Sequence, residues 1–78
     1  MDTREEFLIR LASVLDGLGM EQGLKVKEQS VERAFGGTGA IAIAEAEAFA
    51  RVHGCTFRYN RAMREGMFYR SYPPGGRA

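Results

Sequence analysis

The sequence predicts a small α+β fold, with two helices packed on one face of a short antiparallel sheet in the order α-β-α-β-β. Three observations lead there. Phe7, Leu8, Leu11, Val14, Leu15 and Leu18 recur at helical spacing. Residues 40–53 hold six alanines together with Ile41, Ile43, Phe49 and Val52, and alanine is the best helix former. Cys55, Phe57 and Tyr59 alternate with Thr56, Arg58 and Asn60, the period of a strand.

Thr3-Arg-Glu-Glu6 fits a capping box. The Thr3 hydroxyl can accept the Glu6 amide proton, and the Glu6 carboxylate can reach back to the Thr3 amide. Gly17 and Gly19 end the first helix, with left-handed backbone expected there. Leu24-Lys-Val-Lys-Glu alternates like a strand, while Val31, Ala34 and Phe35 fit a short helix equally well. A third strand would let a marginal hairpin stand in water, so a strand over about 23–33 is expected. Gly36-Gly-Thr-Gly39 reads as a loop whose Thr38 caps the next helix. Glu47 and Arg51 lie four apart on that helix, a favourable surface spacing. His53-Gly54 closes it.

The last third reads as a hairpin: a strand from Cys55, a loop from Asn60 to Gly66, and a return strand from Met67 to Tyr72. Gly66 is free to take positive φ in the loop. Both faces of the return strand carry aromatics, so the pattern leaves open which is buried. Pro73-Pro74 stops the strand because proline lacks the ladder donor. Residues 1–74 are expected to form one domain and 75–78 a frayed tail; 78 residues leave no room for a second core.

The charge is uneven. Residues 51–78 carry six bases against Glu65 alone, net +5, and residues 1–50 carry five bases against nine acids, net −4. All six bases of the C-terminal stretch are arginines, and five of the eight aromatics lie among them. Arginine and tyrosine both bury large area while keeping a polar handle, which binding surfaces favour. Arg58, Tyr59, Arg61, Arg64, Arg70 and Tyr72 are therefore the expected partner-binding residues. Arginine's planar fork suits carboxylate and phosphate alike. Two partners follow: an acidic surface of a protein complex, or single-stranded nucleic acid stacked on the aromatics. A homo-oligomer is a third reading, with the acidic half of one copy meeting the basic half of the next.

No enzyme is expected, because no acid–base or nucleophile constellation stands out. His53 and Cys55 are the only histidine and cysteine, two ligands where structural zinc wants four. They read instead as a helix C-terminal histidine and a core cysteine. The glycine loop lacks the Lys-Ser/Thr of a phosphate loop and the spacing of a dinucleotide fingerprint. Glu45 and Glu47 point apart on a helix, so they form no carboxylate pair; Glu45 reads as a rim carboxylate or a partner for a hairpin arginine. No cofactor or metal is expected. One cysteine excludes an intrachain disulfide and fits a reducing cytoplasm. No apolar run approaches the ~20 residues of a membrane span.

In outline the chain resembles the small phage-encoded anti-CRISPR proteins. What matches is the length of 78, the amphipathic first helix, the Ala-rich helix at 40–53 and the Arg/Tyr hairpin at 55–72. No sequence motif carries the likeness, so no residue role transfers. The strongly acidic members that mimic DNA differ from this chain, whose distinctive surface is basic. The resemblance implies a cytoplasmic, non-enzymatic inhibitor that occupies a protein surface of a CRISPR–Cas effector.

Overall fold

The computed structural model describes residues 3–71. The elements are α1 (Arg4–Asp16), β1 (Gly23–Lys27), α2 (Glu28–Phe35), α3 (Ala40–Val52), β2 (Cys55–Asn60) and β3 (Glu65–Arg70). The α+β class is as expected. The sheet is antiparallel in the order β1-β3-β2, so the last strand lies in the middle. All three helices lie on one face, which gives a slab 30 × 30 × 18 Å.

Thr3 caps α1, its hydroxyl accepting the Glu6 amide at 3.1 Å. The reciprocal bond differs from expectation: the same hydroxyl lies 3.3 Å from the Glu6 carboxylate and donates to it. Gly17 stays right-handed at φ −88. The left-handed turn falls on Glu21 instead, at φ 67.

The strand expected over 23–33 ends at Lys27, and a helix takes over at Glu28. Among the described residues there are thus three helices, not two. The ladder runs out at Lys27↔Glu65, where β3 begins. Beyond it the Glu28 amide makes one more bond to the Arg64 carbonyl at 3.0 Å. With no strand left to pair, residues 28–35 obey their other periodicity and bury Val31, Ala34 and Phe35. Gly36 closes α2 at φ 84, a left-handed cap that suits glycine. Gly39, not Thr38, occupies the cap position of α3, with no side-chain bond.

The hairpin loop is shorter than expected. Arg64 takes the positive φ, at 53, and Gly66 lies inside β3. The reason is packing. A Cβ on Gly66 would stand 2.6 Å from Cε1 and 2.8 Å from Cζ of Phe57. The ring of Phe57 needs that space to reach Phe68, with centroids 4.7 Å apart. Phe57, Phe68, Leu15 and Val31 are the largest fully buried side chains. Along β3 Gly66, Phe68 and Arg70 face the helices, and Glu65, Met67 and Tyr69 face out. Tyr72 and the tail 75–78 lie outside the described residues.

Candidate binding surface

Among the described residues, the helices cover one side of the sheet and leave the other bare. Register fixes three rows on the bare side: Gly23–Tyr69–Thr56, Lys25–Met67–Arg58 and Lys27–Glu65–Asn60. Met67 and Tyr69 occupy the central strand. Lys25, Lys27 and Arg58 flank them, opposed by Glu65. Neighbouring strands lie about 5 Å apart, so Lys25 and Arg58 stand roughly 10 Å from each other across Met67.

Arg58 is exposed, and its Nε donates to Tyr69 Oη at 2.9 Å. That bond holds the side chain across the sheet through Nε, and among the described residues it leaves the two terminal nitrogens of the fork out of the contact. Gly23 sits beside Tyr69 on β1 without a side chain, and a Cβ there would lie 3.7 Å from Tyr69 Cβ. The tyrosine ring is therefore not walled in on that side.

Tyr59 points to the helix side, and its hydroxyl donates to Glu28 Oε2. The bond to Glu28 pushes the Tyr59 phenol above its ordinary pKa, because the carboxylate favours the protonated hydroxyl; desolvation adds to the effect. Arg61 lies over the ring of Tyr59, 5.7 Å from its centroid, a cation–π arrangement. It also donates to the Thr38 carbonyl at 3.3 Å. A cleft of about 420 Å³ opens between Arg58, Tyr59, Arg61, Met67 and Tyr69. Arg64, in the loop, is exposed.

Arg70 is a correction. It was expected on the partner surface, yet it is 7% exposed. Its Nε donates to the Leu18 carbonyl at 2.9 Å, Nη1 to His53 at 2.8 Å and Nη2 to Leu15 at 2.5 Å. These carbonyls lie at the C-terminal ends of α1 and α3, where a cation is favoured. α1 has no basic residue in its own last turn, and Arg70 supplies that charge from the sheet. The alternation of β3 turns Arg70 inward beside Phe68.

His53 and Cys55 belong to the same junction. His53 Nδ1 lies 2.8 Å from Asp16 Oδ1. Cys55 is buried, with its thiol 3.5 Å from the His53 carbonyl. Burial pushes the thiol pKa up, against a smaller lowering by Arg70. Among the described residues no three His, Cys, Asp or Glu side chains group to hold a metal. Glu45 pairs with Arg4 at 3.8 Å, not with a hairpin arginine.

Sequence alone does not bring Lys25, Lys27, Met67 and Tyr69 together on one face; the strand register does. The alternation Leu24-Lys-Val-Lys was the available signal for the lysines. Edge-strand lysines also discourage unwanted pairing, so these two need no ligand to explain them. No protein-family model, curated protein or solved structure matches this chain. Among the described residues no helix is long and apolar enough to cross a membrane.

Proposed function

We propose that this protein is a non-enzymatic inhibitor that acts in the cytoplasm by occupying an acidic surface of a protein complex, with a CRISPR–Cas effector as the first target. The observation that carries the reading is the pair of braced arginines on the hairpin. Arg58 is held by Tyr69 at 2.9 Å and Arg61 lies over Tyr59 at 5.7 Å. A braced arginine loses less side-chain entropy on binding, and Arg and Tyr are both enriched among interface anchors. Arg64 adds charge at the rim. The effector as target follows from the resemblance in size and layout alone.

A second reading has its own observation. Tyr69 and Met67 on a bare sheet face, between Lys25, Lys27 and Arg58, form the kind of platform on which single-stranded nucleic acid stacks. The acidic first half of the chain weighs against it.

The test is a pull-down with the tagged protein from lysate of a bacterium that carries a CRISPR–Cas system, with and without nuclease. Effector subunits recovered in stoichiometric amount after nuclease support the inhibitor. Nucleic acid alone, lost as salt rises, moves the surface to the second reading.

A further inference from the structure

We propose that the outer face of α3 is a self-association surface, on which two copies pair helix to helix, antiparallel, about a two-fold axis. This goes beyond the reading above and uses different residues.

Ten of the 13 residues of α3 are apolar. Ala42, Ala46 and Ala50 are buried and form its inner face. A second apolar row, Ile41, Ala44, Ala48 and Val52, runs down the opposite side and is exposed throughout. Its ends stand well out in water, Ile41 at 79% and Val52 at 80% exposure. A helix apolar on both sides is the pattern of one covered on both sides. The two alanines at the middle of the row let a second helix approach closely, and the larger residues at its ends would enclose the contact.

What selects a second copy as the occupant is self-complementarity. Beside Ile41, at the N-terminal end of the row, lies an apolar cleft of about 420 Å³ against Phe35, Gly36, Gly37 and Ala40. A Cβ at Gly36 or Gly37 would meet nothing within 4 Å, so a side chain has room there. At the C-terminal end stands Val52. In an antiparallel pair Val52 of each copy meets the cleft of the other, and a two-fold axis makes both contacts at once. Antiparallel helices also oppose their dipoles. The bare sheet face lies on the other side of the slab, so pairing leaves Arg58 and Tyr69 free.

The test is sedimentation equilibrium of the full chain from about 1 μM to about 1 mM, the range of a small interface. The weight-average mass is expected to rise from 8.6 kDa toward twice that. Val52→Lys and Ile41→Glu each place a charge that suits their end of the helix, so the fold is retained. Circular dichroism checks this for both, and either variant alone suffices. Each is expected to weaken association at least about tenfold. Met63→Glu, also exposed but on the hairpin loop, leaves it unchanged. A mass of 8.6 kDa at every concentration overturns the proposal. So does association that the Val52 and Ile41 variants leave intact.

Discussion

Replacing Arg70 with methionine keeps the volume of the side chain and removes its charge and donors. Three hydrogen bonds to carbonyls are lost, those to Leu18, His53 and Leu15. At about 1.5–3 kcal/mol for a bond to a charged group, the gross loss would exceed 4 kcal/mol. The geometry lowers that figure. The Leu15 carbonyl also accepts the Leu18 amide at 3.1 Å, and the His53 carbonyl also faces the Cys55 thiol at 3.5 Å. Only the Leu18 carbonyl is left without another described partner. Removing the buried guanidinium also returns part of its desolvation cost. The expected net loss is therefore about 3 kcal/mol. A domain of this size has roughly 4–12 kcal/mol in total. With a urea slope near 1 kcal/mol/M, the midpoint should fall by roughly 3 M. Arg70→Lys can satisfy fewer carbonyls and should fall between the two. The assay is urea unfolding followed by far-UV circular dichroism at neutral pH. A methionine variant within about 0.5 kcal/mol of wild type would refute the clamp and return Arg70 to the list of surface residues.

Gly66→Ala forces a Cβ to 2.6 Å from the Phe57 ring, and this overpacking should cost about 1–3 kcal/mol in the same urea assay. The Cys55 thiol, buried and with its pKa raised chiefly by desolvation, should react with a chromogenic disulfide at neutral pH only at the rate of unfolding; immediate reaction would mean the junction is open. The Tyr59 phenol titrates above its ordinary range because of Glu28, so absorbance at alkaline pH should show one tyrosine ionising late, and Glu28→Gln should bring it down. The sign follows from the raised value: what this bond contributes to stability is present below the ordinary phenol pKa and is lost as pH rises through the raised one.

Periodicity placed α1, α3 and the hairpin, because each has a single reading at the level of the chain. Residues 28–35 had two, since Val31, Ala34 and Phe35 suit a helix while the preceding Lys-Val-Lys suits a strand. The length of β3 decides between them, and that length is set by partners distant in sequence. Arg70 was misplaced for a similar reason. An arginine among surface arginines is indistinguishable from them until the register turns it toward three carbonyls from α1 and α3. The row Lys25–Met67–Arg58 is assembled from three separate strands, so no local pattern could announce it. Arg58, Arg61 and Arg64 were legible because loop and outward strand positions are exposed whatever the tertiary partner.

The most direct test of the binding surface is charge reversal at its exposed loop. Arg61→Glu with Arg64→Glu disturbs little of the fold, since Arg61 makes one 3.3 Å bond to a carbonyl and an exposed ring contact. Circular dichroism and the urea midpoint should stay at wild-type values. Binding to the complex recovered by the wild-type protein, measured by titration calorimetry, should be abolished. Unchanged affinity in the folded double variant would contradict the assignment of the hairpin as the inhibitory surface.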